Sequence, residues 1–210
     1  MNNEEKLSKS DNKTKNYEIK VKNNSNPDNP FNFQYYEEVD PLKIFNHAIG
    51  DNFSKYKQSL IEIVKKEFPI HKDNLIQRVS IFFEGDRLTA SLKGEITSNI
   101  QYNFKNEIEL IGDFYWLKGV KDISVRIPKK KDTPRKFEYI SIEEITKAMF
   151  VIVNHSFSIK KEDLFITTTR VFGFQRLGPS ISQRLEKSFY YLLKNYKVKE
   201  IDGKITKNQK

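Results

Sequence analysis

The sequence predicts an α+β protein, mainly α-helical, that consists of two similar small units in tandem. The first reason is an internal repeat: residues 60–106 align with 149–195 without a gap, and thirteen of the 47 pairs are identical. The second is that apolar residues recur at helical spacing in three segments of each copy. The third is a short alternating segment with a turn signal after the last helix of each copy. A repeat of this length indicates one architecture used twice.

The chain before the repeats divides into a polar tail and an aromatic arm. Residues 1–30 are rich in Asn, Lys, Ser and Glu, a composition that cannot offset the entropy of folding, and we expect a disordered tail there. Residues 31–52 follow as an extended arm in which Phe31, Phe33 and Tyr35 alternate. Docking of these rings on a folded neighbour is one interpretation, and an exposed partner-binding motif is the other.

The first repeat, residues 53–117, contains three amphipathic segments and a hairpin. The spacing predicts helices from about Phe53 to Phe68, over 71–83 and over 89–104. The change of period between 107 and 116, around the turn Gly112-Asp113, predicts a β-hairpin. Three helices followed by a hairpin is the order of a winged helix, a variant of the helix-turn-helix.

Residues 118–139 form a basic connector between the repeats. Strands are predicted on both sides of its tip, over 123–127 and over 136–139. The tip itself is rich in cations, namely Lys129, Lys130, Lys131 and Arg135. Such a loop can follow a phosphate backbone, although a run of lysines is also commonly no more than a solvated loop.

The second repeat, residues 140–206, carries clear helix boundaries. Ser141 and Glu144 form a capping box, in which each side chain satisfies a backbone amide of the other, and Ser158 is expected to cap the next helix. Gly173 supplies a left-handed stop, and Pro179 starts the third helix at a position where its missing amide costs nothing. Asp202-Gly203 predicts a two-residue hairpin turn.

The positive charge is unevenly distributed along the chain. The net charge is +9 over 210 residues. The chain has 37 basic and 28 acidic residues. Their charges balance over residues 1–59, and residues 60–117 are slightly acidic, so the excess of positive charge lies entirely after Leu117. A basic half of this kind is typical of a phosphate-binding surface, but it also occurs in lysine-rich proteins that bind nothing acidic.

One polar face of the third helix in the second repeat is the candidate nucleic-acid site. Ser180, Gln183, Arg184 and Lys187 lie at spacings that place them together, opposite the apolar stripe, and Arg176 lies in the preceding turn. In a helix-turn-helix this helix enters the major groove, and these residue types bind base edges and phosphates. An exposed face in any basic protein has a similar composition, so both interpretations stay open.

The sequence offers little that catalysis, cofactors or membranes would need. There is no cysteine, and none of the histidines His47, His71 and His155 lies in a metal-ligand or nucleophile motif. His71 is expected to cap a helix or to lie at the edge of an apolar core. Because no phosphate-binding glycine loop and no long apolar run is present, we expect a non-enzymatic cytoplasmic protein. It is expected to have no cofactor, no metal, no membrane contact and no small-molecule substrate.

Four stretches of the chain resemble a known family, the domain of unknown function 3320. They occur in order within about residues 57–205: Phe68-Pro69-Ile70-His71 with Arg78, Gly112-Asp113-Phe114-Tyr115-Trp116, Ile140-Ser141-Ile142-Glu143-Glu144-Ile145, and Gly173-Phe174-Gln175-Arg176-Leu177-Gly178 before Ser180-Ile181. That domain lies at the C-terminus of large bacterial superfamily-one helicases of the AAA type, which often carry a Vsr-like endonuclease domain. The resemblance implies a context of DNA processing, repair or defence and supplies no catalytic residues.

Two functions follow as hypotheses. The first is a non-catalytic DNA-binding module that works with a helicase or nuclease and binds through the second repeat and the basic connector. The second is a protein-interaction adaptor that docks on a helicase subunit, with residues 31–36 and Trp116 at the contact.

Overall fold

The fold, described from a computed structural model, is of the α+β class and mainly helical, as the sequence predicts. The structure describes residues 27–83, 88–130 and 132–208. The predicted tail falls mostly outside these residues, as does Lys131. Residues 27–30 belong to the described part, and the Asn29 side chain is buried there and bonds to both backbone groups of Phe33.

The first repeat folds into a unit, called unit one, of three helices and a three-stranded sheet. Its elements are α2 (Asn52–Glu67), β2 (Ile70–His71), α3 (Lys72–Val79), a 3₁₀ turn (Ser80–Phe82), α4 (Ala90–Asn103), β3 (Ile108–Ile111) and β4 (Phe114–Leu117). Asp51, His71 and Thr89 cap α2, α3 and α4 through their side chains, which is the role expected of His71.

The second repeat folds into unit two, which has the same element order. Its elements are α5 (Ile142–His155), β6 (Ile159–Lys160), α6 (Lys161–Val171), α7 (Pro179–Asn195), β7 (Val198–Ile201) and β8 (Lys204–Lys207). The short strand after the first helix pairs with the last strand in both units, giving the orders β2-β4-β3 and β6-β8-β7. All pairs are antiparallel. The repeat seen in the sequence is therefore also a repeat of topology.

Each unit has its own apolar core, formed by the stripes that the sequence pattern predicts. In unit one, Leu60, Leu75 and Ile100 are buried together from three different helices. In unit two, Met149, Leu164 and Phe189 occupy the corresponding places. Because each core draws on all three helices of its unit, burial of apolar surface holds each unit together.

The aromatic arm lies against both units. Its elements are β1 (Gln34–Tyr35) and α1 (Pro41–His47), and α1 is a helix within the segment predicted to be extended. β1 pairs in parallel with β5 (Arg126–Ile127) of the connector. Phe31 is buried in the core of unit two, and Phe33 packs beside it. Docking of the rings on the protein itself is thus confirmed for these two residues.

Two local predictions in and after the connector are wrong. Residues 137–139 form a 3₁₀ turn and not a strand, because Phe137 turns inward toward Phe172 and Phe174. Ser158 is exposed and caps nothing, because Ile159 and Lys160 pair with β8 before α6 begins at Lys161.

The turn signals of unit two are confirmed by the backbone. Gly173 has φ +88°, and Phe174 N–H and Gly173 N–H donate to the carbonyls of Thr169 and Arg170, which closes α6 in a Schellman motif. Asp202 and Gly203 both have positive φ, as a two-residue hairpin turn of this twist requires.

Gly173→Ala is predicted to destabilise the protein by at least about 2 kcal/mol, because a side chain there is strained at positive φ and has no room. A Cβ atom would lie 2.7 Å from Pro128 Cγ and 3.1 Å from Pro134 Cβ. The matched control is Gly94→Ala in the middle of α4, where a Cβ meets nothing within 4 Å. That variant should gain about 0.5–1 kcal/mol. Urea unfolding of both variants measures the difference, and a shift of the same sign in both would contradict this role for Gly173.

Candidate nucleic-acid interface

The predicted polar face of α7 is largely exposed. The helix begins at Pro179, and Leu185, Phe189 and Leu192 bury its apolar side. Ser180, Gln183 and Lys187 are exposed on the other side. The structure therefore brings these three predicted site residues together on one accessible surface.

Arg184 differs from its three neighbours because the fold itself uses it. Its guanidinium donates to the carbonyl of Ile140, at the start of unit two, and the residue is only partly exposed. Burial lowers the pKa of Arg184, against the opposing effect of nearby carboxylates on Glu138, Asp113 and Glu143. Arg184 thus holds α7 against the end of the connector, and its predicted role in contacting nucleic acid stays a prediction.

Arg176 lies in the turn that packs on the connector. The turn begins at Gly173, whose position directly faces Pro128 and Pro134 of the connector. The rings of Phe137 and Phe174 reinforce this contact, with centroids 5.4 Å apart. Arg176 itself is exposed. The two segments predicted to bind nucleic acid are therefore neighbours in the fold.

The connector lysines are exposed but paired. Lys129 Nζ lies 3.1 Å from a carboxylate oxygen of Glu37, and Lys130 Nζ lies 3.0 Å from one of Asp28. Lys131 lies outside the described residues. Because surface pairs of this kind contribute little and exchange readily, they reduce the local positive charge without fixing the loop.

Arg135 is not a surface cation. Its side chain is 8% exposed, and its guanidinium lies 2.7 Å from Glu144 Oε1. It also donates to the carbonyl of Arg126 and stacks 4.4 Å from the ring centroid of Tyr36. As the structure places it, Arg135 belongs to a buried charge cluster, and its predicted contact with nucleic acid stays untested.

The centre of this buried cluster is the Glu144 carboxylate, which sequence reasoning missed. Ser141 accepts from the Glu144 amide as the capping box predicts, but the Glu144 side chain turns away from the cap toward two arginines. Arg126 Nη2 lies 2.6 Å from Glu144 Oε2, and the Arg126 amide donates to Glu144 Oε1 at 2.9 Å. The one signal available in the sequence was an arginine between the apolar residues Val125 and Ile127.

Arg126 also crosses from the connector to unit one. Its guanidinium donates to the carbonyl of Glu67, at the end of α2, and to that of Pro69 at 3.2 Å. The Glu67 carboxylate in turn accepts from Tyr36 Oη at 2.5 Å and from Arg78 Nη1 at 2.6 Å. Unit one, the arm, the connector and unit two therefore meet in one buried hydrogen-bonded network.

The charge of Glu144 is maintained by its partners. Burial alone would raise the pKa of this carboxyl, but Arg135 and Arg126 together lower it to about 2. The carboxylate is therefore ionised at neutral pH, and both guanidiniums have a countercharge inside the protein.

Unit two exposes several cations that are free for an external anion. Six exposed side chains of its turn, third helix and hairpin make no salt bridge within the described residues: Arg176, Lys187, Lys194, Lys199, Lys204 and Lys207. Lys199 and Lys204 share the solvent face of the hairpin, because Val198 and Ile205 mark its opposite face as buried. The sequence carries no local signal for these hairpin lysines, because lysine is common on any solvent-exposed strand.

The aromatic residues proposed for an adaptor contact lie largely inside the protein. Phe31 and Trp116 are each 7% exposed, and Tyr36 is held in the buried network. Tyr35 remains partly exposed on β1. Phe31 and Trp116 are therefore used in internal packing, and Tyr35 is the exposed aromatic residue of β1 that stays accessible for an adaptor contact.

Other sites are scarce in the described part of the chain. Within residues 27–83, 88–130 and 132–208, no group of His, Cys, Asp and Glu could hold a metal ion. Among the helices of those same residues, none combines the length and the apolar character needed to cross a membrane. His71 stacks on Tyr139 with centroids 4.5 Å apart, and burial lowers its pKa.

Comparison of the chain with protein-family models, with curated proteins and with solved structures found no match in any of the three. The resemblance to the domain of unknown function 3320 therefore stays an expectation from the motifs alone.

Glu144→Gln is predicted to lower the unfolding free energy by about 3–5 kcal/mol at neutral pH, because two buried guanidiniums lose their countercharge. A carboxyl whose pKa is lowered on folding adds stability above its ordinary pKa, about 4.5, and loses it as the pH falls toward about 2. The difference between wild type and variant should therefore shrink across that range in urea unfolding series.

The matched control for this prediction is Glu37→Gln, which removes the exposed carboxylate beside Lys129. It should change stability by less than about 1 kcal/mol at every pH. Equal losses in the two variants, or a Glu144→Gln loss that does not depend on pH, would contradict the importance of the buried charge.

Proposed function

We propose that the protein is a tandem winged-helix module that binds DNA without catalysis, chiefly through unit two. The element order of each unit, with the first strand beside the last one, supports the winged-helix assignment. In that architecture the third helix and the hairpin are the elements that contact the nucleic acid. The observation that carries the proposal is that exposed cations without a salt bridge, among them Lys187, Lys199 and Lys204, lie on these two elements.

The chemistry of this surface fits a polyanion. Lys187 lies on the exposed side of α7, and Lys199 and Lys204 lie on the outer face of the hairpin. Gln183 and Ser180 add hydrogen-bonding groups on the same helix. Lysine contacts of this kind bind phosphates independently of sequence and release counterions. The proposed mode is therefore strong dependence on salt with little base specificity.

Unit one is less suited than unit two to bind nucleic acid. Its third helix exposes Glu95 besides Lys93, and residues 60–117 carry a small net negative charge. Such a surface attracts a polyanion less than that of unit two. We therefore assign the general phosphate contacts mainly to unit two.

We also propose that the protein acts together with a helicase or nuclease in DNA processing, repair or defence. The four motifs shared with the domain of unknown function 3320 support it. A binding module of this kind would serve to recruit or orient such an enzyme on DNA.

The double variant Lys187→Gln/Lys204→Gln is predicted to reduce the slope of log affinity against log salt by about 2, because two phosphate contacts are lost. Fluorescence anisotropy with labelled duplex and labelled single strand measures the slope. The control with the same change in net charge is Lys129→Gln/Lys130→Gln, whose lysines are already paired with Glu37 and Asp28. That control should leave the slope nearly unchanged.

Two results would contradict the proposal. The first is that the wild-type protein binds neither the duplex nor the single strand at about 50 mM salt, where phosphate contacts are strong. Alternatively, the connector variant would lose as much affinity and slope as the unit-two variant, which would move the contact from unit two to the connector.

A further inference from the structure

Both units expose a tyrosine at the same place in their third helix. Tyr102 in the last turn of α4 is 78% exposed, and Tyr191 near the end of α7 is 39% exposed. The two residues are equivalent in the repeat, at a separation of 89 positions. Neither is a buried core residue, so the packing that explains shared residues such as Ile63/Ile152 and Leu75/Leu164 does not explain this pair.

A lysine accompanies each tyrosine at the same spacing. Lys105 and Lys194 are equivalent in the repeat and exposed, and Lys105 Nζ lies 6.0 Å from the centroid of the Tyr102 ring. In α7 the surface is larger, because Tyr190 beside Tyr191 is 71% exposed. Flat aromatic faces next to cations are the elements with which proteins bind single-stranded nucleic acids.

The position of the two tyrosines at helix C-termini restricts the kind of ligand that they can bind. The C-terminus of a helix carries partial negative charge from its free carbonyls, so the backbone there repels a phosphate. Attraction must then come from the lysine side chains and from contact with the tyrosine rings. A ring can stack on a base only when that base is unstacked from its neighbour, as in a single strand.

The other end of α7 is poorly equipped to read a duplex. Base reading in a major groove uses the N-terminal part of the third helix. The arginine of that part, Arg184, is held by the Ile140 carbonyl and partly buried. Ser180 and Gln183 remain, without an arginine to recognise guanine.

We propose that the last turns of α4 and α7 stack unpaired bases on Tyr102 and Tyr191, while Lys105 and Lys194 contact the adjoining phosphates. The ligand class is single-stranded nucleic acid. This inference rests on the proposed nucleic-acid binding and specifies its substrate. The lysines of the hairpin then supply general phosphate contacts, and the tyrosines supply the preference for a single strand.

The test compares three variants of the full chain. Tyr102→Leu/Tyr191→Leu removes the aromatic faces and keeps apolar side chains of similar reach. Tyr102→Phe/Tyr191→Phe keeps the faces and removes only the hydroxyls. Phe157→Leu is the control for loss of an exposed ring elsewhere, since Phe157 is 96% exposed in the turn between α5 and β6.

Affinity is measured by anisotropy on a single strand and on a duplex of the same length, and quenching of 2-aminopurine placed in the single strand reports stacking directly. The Leu double variant should bind the single strand at least about tenfold more weakly, because it loses two stacked bases and each base stacked on an aromatic ring contributes about fivefold or more. Duplex affinity, and both affinities of the Phe double variant and of Phe157→Leu, should change less than about twofold.

The outcomes separate this inference from the proposed function. Unchanged single-strand affinity in the Leu double variant, or equal losses on single strand and duplex, overturns stacking while nucleic-acid binding stands. Loss in the Phe double variant equal to that in the Leu variant also overturns it, because the hydroxyls would then carry the contact. Absence of binding by the wild-type protein to either ligand overturns the proposed function itself.

Discussion

The buried carboxylate of Glu144 is the constraint on which the arrangement of the chain depends. A charge removed from water is costly unless opposite charge and hydrogen bonds replace the solvent, and here Arg126 and Arg135 do so. Arg126 also donates to the carbonyls of Glu67 and Pro69 in unit one. The same guanidinium therefore neutralises the Glu144 carboxylate of unit two and binds the backbone of unit one. Tyr36 stacks beneath both guanidiniums and bonds to Glu67, which fixes the arm in the same network.

This network determines which cations remain available to a ligand. The connector is the most basic segment of the sequence, yet Arg126 and Arg135 are consumed internally and Lys129 and Lys130 have acidic neighbours. Arg184 is likewise held by the backbone of Ile140. Free cations remain on the third helix and hairpin of unit two, among them Lys187, Lys199 and Lys204. Composition thus identified the basic half of the molecule, while burial decides which part of that half can meet a polyanion.

Local patterns in the sequence predicted the repeat and the main helices and hairpins of its two copies, because these follow from apolar spacing and turn chemistry within a few residues. Gly173, Pro179 and Asp202-Gly203 take the roles that their own backbone preferences dictate. The pairs between distant residues were not predictable. Glu144 has the sequence environment of a capping residue, and only the approach of Arg126 and Arg135 in the fold redirects it. In the same way, nothing local indicates that Arg184 faces Ile140 while Lys187, one turn away, faces solvent.

If Arg126 couples the two units, their unfolding must be coupled too. Differential scanning calorimetry of the full chain tests this most directly, by comparing the calorimetric and van't Hoff enthalpies of wild type and Arg126→Met, which keeps the aliphatic stem. The predicted result is one transition with equal enthalpies for the wild type and two separate transitions for the variant. Two transitions in the wild type, or a single cooperative transition preserved in Arg126→Met, would contradict the coupling role of the buried network.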